Sequence, residues 1–505
     1  MPNASLYTSV MACQIIPFPQ ELRPQLPTIV GNVDYLTLRQ RLEQIDALLR
    51  ESGAERDFVQ RALAGWKRAA KGEPTAQEQE KFQQRSRRAL RCTVLRTLLQ
   101  EDYRGFSCQL AGNPLYQWFC QVDALDQVRV PSKSEIQRFA HWLDAGQMRQ
   151  VIDGLLKGAV DQPRKLGLKE ALDLEEYFLD STCLKANIHF PTDWVLLRDG
   201  VRTLMKATRL IRKAGLCRRM QAPEEFLRQM NRLSIAMSQQ ARRAGRKKGR
   251  KRVLRLMKKL VGVVRGHARR HRDLLDEQWP QTEWTRAQAQ QIVRRIDGVL
   301  ELLPRAQKQA HERIIGARPV ANAEKILSLY EPEVRVIVRG KAGAEVEFGN
   351  TVLLGENRQG IILDYEFFRE GAPADSQLLF GSLLRVWKAT GQPVGSVVTD
   401  RGFASAQNSR TLKQGNTFDG LCPRQPAELS RRMKGKKFAR LQRRRAQTEA
   451  RIGILKQGFL GRPMRAKGFD HRELALAWGV LTHDLWMLAR LKKAKRKPRA
   501  LQKAA

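Results

Sequence analysis

The sequence is poor in acid. Its 505 residues carry 51 Asp and Glu against 92 Lys and Arg, a formal net charge of +41. A chain so unbalanced repels itself, and the charge is most easily tolerated opposite a polyanion: nucleic acid first, an anionic membrane surface second. Long apolar runs are also missing. The nearest to one, Leu474 to Leu491, contains His483, Asp484 and Arg490, which excludes a bilayer-crossing helix. No basic segment followed by an apolar one opens the chain, so secretion is not expected and the cytoplasm, at the nucleoid, is the expected compartment. Paired cysteines are absent as well. Cys13, Cys92, Cys108, Cys120, Cys183, Cys217 and Cys422 are scattered, with no CxxC among them. An odd, dispersed set reads as reduced thiols and argues against a disulfide frame or a structural zinc site.

What is present is organised in blocks, and the length allows two to four domains. Residues 1–30 contain Pro, lack periodicity and read as a loose leader. From Tyr35 a helical rhythm begins, with Leu38, Leu42, Ile45 and Leu49 on one side. Mixed-charge helical sequence then runs to about residue 170. Within it Ser132 and Glu135 have capping-box spacing, and Ile136, Phe139, Ala140 and Leu143 follow as one apolar face. Residues 31–170 are therefore predicted to be an all-helical N-terminal domain. Residues 171–195 change character: Glu176 to Asp180 reads as a short strand ending on a carboxylate, with Thr182 to Asp193 an irregular continuation.

Residues 196–320 are predicted to be a basic helical insertion. Between 201 and 270 there are 23 Lys and Arg against two acids, Glu224 and Glu225. The densest part holds Arg242, Arg243, Arg246, Lys247, Lys248, Arg250, Lys251 and Arg252, and runs into Val253, Leu256, Leu260 and Val263 at helical spacing. One apolar face and one basic face suit docking on a phosphate backbone, so these eight cations are the candidate DNA contacts.

From residue 321 the period changes. Val334, Val336 and Val338 alternate with polar residues, Val346 to Leu354 and Gly360 to Phe368 follow as strands, and Gly355 to Gly360 joins them as a hairpin turn. Asp375 can cap a helix from Ser376 to Thr390. Val394 to Thr399 is an apolar strand that runs into Asp400. A helix near Ser405 to Lys413, a strand near Phe418 to Cys422, basic helical sequence to about 460 and an amphipathic helix from Glu473 to Leu491 complete the region, and 492–505 is a basic tail. The expected class is α+β: a mixed sheet flanked by helices, interrupted by the helical insertion and preceded by the all-α domain.

Three carboxylates stand out. Asp180 and Asp400 each terminate a predicted strand, and Glu449 sits in a helical stretch. Carboxylates placed so can converge, and hard oxygen ligands suit Mg²⁺ or Mn²⁺. Two such ions could activate a water or a 3′-hydroxyl and steady the leaving oxygen of a phosphodiester. Arg445, Glu449 and Lys456 fall at i, i+4 and i+11, near one helix face. Arg445 and Lys456 could then hold phosphates while Glu449 holds metal.

The pattern Arg445-x3-Glu449-x6-Lys456 resembles the helix signature of bacterial insertion-sequence transposases of the DDE superfamily. Asp180 to Asp193 resembles the segment at their first catalytic aspartate, and Val398 to Phe403 the second. Leu115 to Leu143 is similar to their N-terminal helical domain, and Leu474 to Leu491 to their C-terminal helix. In many of these proteins a tyrosine precedes the arginine by three positions; here that position is Gln442, which is given no function. The resemblance covers most of 35–491. It implies an RNase H-like catalytic fold, Asp180, Asp400 and Glu449 as catalytic metal ligands for two ions, and Arg445 and Lys456 as DNA contacts. It further implies metal-dependent strand cleavage and strand transfer at element ends, with duplex DNA (terminal inverted repeats and target) as partner. The active form is expected to be at least a homodimer on DNA, without a covalent intermediate or nucleotide cofactor. The other readings are a catalytically inactive transposase-derived DNA-binding protein and another RNase H-like nuclease.

Lesser candidates have plainer readings. Asn187, His189 and Asp193 follow Asp180 closely and could steer DNA, although such a His is more often structural. Asp364 reads as a face-alternating polar residue. His267, His271 and His311 are expected to face solvent, and Tyr116 to Phe119 to be core.

Overall fold

The structure is a computed structural model that describes residues 26–70, 72–122, 128–240, 246–341 and 344–491. Arg242 and Arg243, most of the leader and the basic tail lie outside the described residues, and of Arg246 only the backbone is described.

Among the described residues seven helices come first: α1 (Val33–Glu51), α2 (Ala54–Ala69), α3 (Ala76–Leu99), α4 (Tyr103–Gly112), α5 (Pro114–Cys120), α6 (Lys133–Phe139) and α7 (Ala145–Asp161). Side chains set several of their starts. Thr75 with Glu78 and Asp144 with Gln147 form reciprocal capping boxes on α3 and α7, and Ser132 accepts the Glu135 N–H to open α6. The predicted α6 face, Ile136, Phe139, Ala140 and Leu143, is buried, as are Tyr116 and Phe119. Arg91, wholly buried, donates to Glu55 and Asp46 at 2.6 Å each and so joins α1, α2 and α3.

β1 (Tyr177–Lys185) precedes the insertion, whose helices are α8 (Asp193–Lys213), α9 (Pro223–Gln240), α10 (Arg246–Gln278) and α11 (Arg286–Ala310). These enclose a core of their own, from Leu196 to Leu329. α10 turns a different face inward than its sequence spacing suggests. Leu254, Met257, Val261, Val264 and Ala268 are buried, whereas Leu256 and Val263 are about half exposed. Apolar residues cover a wide arc of this helix, and packing against α8, α9 and α11 selects the broader side.

The remaining elements are β2 (Arg335–Lys341), β3 (Ala344–Asn357), β4 (Ile362–Phe367), α12 (Asp375–Thr390), β5 (Ser396–Thr399), α13 (Ala406–Gln414), β6 (Phe418–Leu421), α14 (Pro426–Met433), α15 (Lys436–Leu455) and α16 (Phe469–Arg490). Asp375 is the first residue of α12 and not its cap, a position held by Ala374; its charge there suits the helix N-terminus. The six strands form one open sheet in the order β2-β3-β1-β5-β6, with β4 also on β3. β3 is antiparallel to β1, β2 and β4, whereas β5 is parallel to β1 and β6. The class is α+β with a mixed sheet, as the sequence pattern predicts.

One apolar core runs from Leu42 in α1 to Ala489 in α16 and takes in residues of β1, β3, β4, β5 and β6. The N-terminal helices therefore share the core of the sheet. α16 is the join: every residue from Leu476 to Leu485 is buried, so this helix is enclosed on all sides where an amphipathic helix was expected. Trp478 donates to Ala140 O (2.9 Å), and Asp484 accepts the Ile362 N–H (2.9 Å). Among the described residues no helix is long and apolar enough to cross a membrane.

Candidate active site

Asp180 does not end its strand. β1 continues to Lys185 because its second half stays paired with β3, Asp180 opposite Leu354 and Lys185 opposite Gly349. The neighbour on the other side stops sooner. The parallel rungs to β5 are Tyr177 with Val397 and Phe178 with Val398. Two residues past that last rung stand Asp180 on one strand and Asp400 on the other. Neighbouring strands lie roughly 4.8 Å apart, so the register itself brings two carboxylates to one level of the sheet. β5 gives way there to a single 3-10 turn, Arg401–Phe403, which Asp400 caps by accepting the Gly402 N–H (2.9 Å). A Cβ on Gly402 would stand 2.6 Å from Asp375 Oδ2 and 3.1 Å from Asp400 Oδ1, so a larger residue there would push on both carboxylates.

Alternation places Phe178, Asp180 and Thr182 on one face of β1, and α15 covers that face. Phe178, Val398 and Leu441 form a small buried cluster, with the Arg444 guanidinium 4.8 Å from the Phe178 ring. Gln442 Nε2 donates to Gly420 O (2.6 Å) and Thr399 O (3.4 Å), tying α15 to β6 and β5 beside Asp400. Sequence reading gave Gln442 no role; here it is an anchor. Further along, Thr448 donates to the buried Glu356 (2.9 Å), and Arg444 and Arg451 each lie 3.7 Å from that carboxylate. Past the end of the helix, Lys456 Nζ donates to Thr182 Oγ1 (2.6 Å). α15 is thus pinned near its middle and at its end. Arg445 and Glu449 lie between the pins, and both act on Asp180 through their charge.

The electrostatics of the pair are unbalanced. Burial, and then the Asp400 carboxylate, push Asp180 up to about 6, with Glu449 acting in the same direction. The Ser181 N–H (2.8 Å) and the Arg445 charge oppose them. Among the described residues, none of Asp180, Asp400 and Glu449 takes part in a salt bridge. Arg445 Nε is buried and has no hydrogen-bond partner. A cation between the aspartates and an anion against Arg445 would each offset a buried charge. The donors are carboxylate oxygens, which fit a hard divalent ion. Among the described residues, however, no group of three His, Cys, Asp or Glu side chains is arranged to hold a metal ion. The fold assembles the aspartate pair, and Glu449 stands exposed on α15.

The lesser candidates separate clearly. Asp364 alternates as its spacing suggests, but it is 1% exposed. It lies on the opposite face of the sheet, accepting from Arg149, from Ser382 (2.7 Å) and twice from Arg385 (2.9 Å each). Asp193 is buried and accepts from Gln309 and Arg313 at 2.9 Å each, which joins the start of α8 to the end of α11. Asn187 and His189 line a cleft past the end of β1 with Tyr330 and Lys467. His271 is wholly buried, against expectation, because it lies on the side of α10 that the insertion core claims; His267 and His311 are half-buried. Of the basic run, Lys247, Lys248 and Arg252 are exposed and Lys251 half-exposed. Arg250 instead packs over Trp194, 5.2 Å from the ring centre.

Compared with models of protein families, with curated proteins and with solved structures, the chain matches none.

Proposed function

We propose that this chain is a DDE-type DNA transposase that cleaves and joins DNA at the ends of an insertion sequence. Asp180, Asp400 and Glu449 are its carboxylates, for two Mg²⁺ or Mn²⁺ ions. The observation that carries the reading is the Asp180–Asp400 pair: two carboxylates level on adjacent parallel strands, in no salt bridge among the described residues, under the helix that bears Arg445, Glu449 and Lys456. A mixed sheet flanked by helices is the scaffold that an RNase H-like catalytic domain requires, and it supports the same reading.

The bound ions would supply Lewis acidity to the attacking and leaving oxygens of the phosphodiester. The rest falls to the chain. Asp180 and Asp400 are held by strand register, so they need little rearrangement to bind. Glu449 joins them by rotating its side chain from the surface of α15. Arg445, with its free Nε, and Lys456 receive phosphate oxygens. Gln442, Thr448 and the Lys456–Thr182 contact fix the helix against the sheet, so the cationic groups stay aimed while DNA is positioned. The exposed cations of α10 hold flanking duplex, and the N-terminal helices read the repeat.

The test is cleavage of a DNA fragment carrying the element's own ends, with wild type and Glu449→Gln compared in Mg²⁺ and in EDTA. Cleavage at the element end that requires both the metal and Glu449 is expected. Tight binding without cleavage, the same in both proteins, would replace the reading with that of an inactive DNA-binding relative. The insertion has its own measure. Replacing Lys247, Lys248 and Arg252 with Ala should flatten the dependence of log K on log salt by ~0.9 for each phosphate that is no longer neutralised; an unchanged slope removes α10 from the DNA path.

A further inference from the structure

α10 has two apolar sides, and the fold uses one of them. Leu254, Met257, Val261, Val264 and Ala268 enter the insertion core. Leu256 and Val263 do not: they stand on the outer side, 49% and 45% exposed, with Leu260 nearly buried between them. At 3.6 residues per turn the three share one stripe. α9 lies alongside, and the two helices form an open groove floored by Phe226, Leu233, Leu256, Leu260 and Val263. Its volume is about 460 Å³, the share of roughly fifteen waters, so a partner can seat several side chains in it. The rim is basic. Arg232 of α9 and Lys259 of α10 line it, and Arg252, Arg255 and Lys259, at i, i+3 and i+7, run as an exposed row beside the stripe. Among the described residues no Asp or Glu lines the groove. The two acids of α9 are already paired, Glu225 with Arg228 (2.7 Å) and Glu224 with Arg209 (3.6 Å).

We propose that this groove binds an amphipathic helix of another protein, one whose apolar stripe is flanked by Asp and Glu. Floor and rim together select that occupant. The floor calls for apolar side chains: a phosphate backbone would take up the cations and leave Leu256 and Val263 in water. The rim calls for negative charge, since cations on one surface favour acids on the other. A second copy of this chain, at +41, would bring more charge of the same sign. A helix laid in a groove presents its anchors at i, i+3 or i+4, and i+7, and Leu256, Leu260 and Val263 span that same length. The seat is shallow, because Leu256 and Val263 are already half covered. Binding is therefore modest, and its charged part weakens with salt.

Fluorescence anisotropy with the full chain tests this. The probe is a labelled synthetic peptide of about 18 residues, five turns of helix, with Leu along one face and Glu on both sides of it. Its control has the same composition in scrambled order, and so the same charge. The ordered peptide should bind at least about tenfold more tightly than the scrambled one. Leu256→Asn combined with Val263→Asn, both at half-exposed positions, should remove that advantage. Lys259→Glu, at an exposed position, should weaken the ordered peptide about threefold or more and flatten its salt dependence; it serves if the paired variant does not fold. Equal binding of the two peptides by wild type, or a folded variant of either kind that binds the ordered peptide as wild type does, would overturn the proposal. Vesicles of phosphatidylglycerol and a single-stranded oligonucleotide should bind the paired variant as they bind wild type; a loss in either would give the groove to lipid or to nucleic acid instead. Neither DNA cleavage nor a metal enters the readout, so a failed transposase reading leaves the proposal standing.

Discussion

Asp364 and Asp180 lie on opposite faces of one sheet, on β4 and β1, and their surroundings differ in every respect that matters to a buried charge. Asp364, under α7 and α12, has two arginines and a serine on its two oxygens, and Ser382 is itself bonded to Tyr177 (2.6 Å). Even the strand makes room: a Cβ on Gly355 would stand 1.7 Å from the Tyr177 hydroxyl. Asp180, under α15, has one backbone N–H and faces two carboxylates of its own sign. Burying a carboxylate costs several kcal/mol unless it is paired. On one face the protein has met that cost with its own side chains. On the other it has left the half-buried Asp180 outside any salt bridge among the described residues, with the Arg445 charge set against two like-charged neighbours, as happens where a ligand supplies the missing partner.

If the two faces differ in this way, their variants should move apart. The largest effect belongs to the unbalanced face and concerns rate. Asp400→Asn should lower strand cleavage at least about a hundredfold while duplex binding stays nearly intact; cleavage at the wild-type rate would remove Asp400 from the site. The next belongs to the saturated face and concerns stability. Asp364→Asn leaves the half-buried Arg149 and Arg385 against an amide and should cost about 2–4 kcal/mol in urea unfolding. A variant as stable as wild type would show that the clamp holds nothing together. Asp180→Asn should have the opposite sign. Without metal, it removes repulsion from Asp400 and Glu449 and should raise stability by about 1–2 kcal/mol at neutral pH. A loss of stability there would mean that Asp180 is a structural carboxylate, and the contrast with Asp364 would disappear.

The sequence displayed the elements better than their depths. Capping residues, strand alternation and the apolar strand leading to Asp400 are local signals, and α6, β5 and α13 lie close to where those signals place them. Two readings failed and one stopped short for a common reason, that burial and pairing are decided by distant neighbours. The strand at Asp180 is extended by its pairing with β3, more than 160 residues later in the chain. The inward face of α10 is chosen by three other helices, which is why His271 is buried. Asp364 does alternate to the other face of the sheet, but its burial against Arg149 could not be read because Arg149 lies far from it in sequence. At the site, Arg445, Glu449 and Lys456 share a face by helical period alone. That Gln442 would anchor α15 to backbone carbonyls of β5 and β6, or that Thr182 would receive Lys456, could be seen only once the strands were in place.

The saturated face has one loose end, and it gives the smallest and most discriminating measurement. Asp153, on α7, is half-buried near Arg149 and Asp364. Burial pushes it up to about 6; Arg149 opposes the rise and Asp364 adds to it. An unfolded aspartate titrates near ~3.9. Between those values the folded protein holds a proton that the unfolded chain has released, so stability falls as pH rises through the window and levels off above it. Asp153→Asn stays neutral throughout. Relative to its own value at acid pH, wild type should therefore lose about 1–2 kcal/mol more than the variant on reaching neutrality, with no difference in slope outside the window. Parallel curves from acid to neutral pH would mean that Arg149 serves Asp153 as fully as it serves Asp364, and the saturation of that face would then extend to every carboxylate on it.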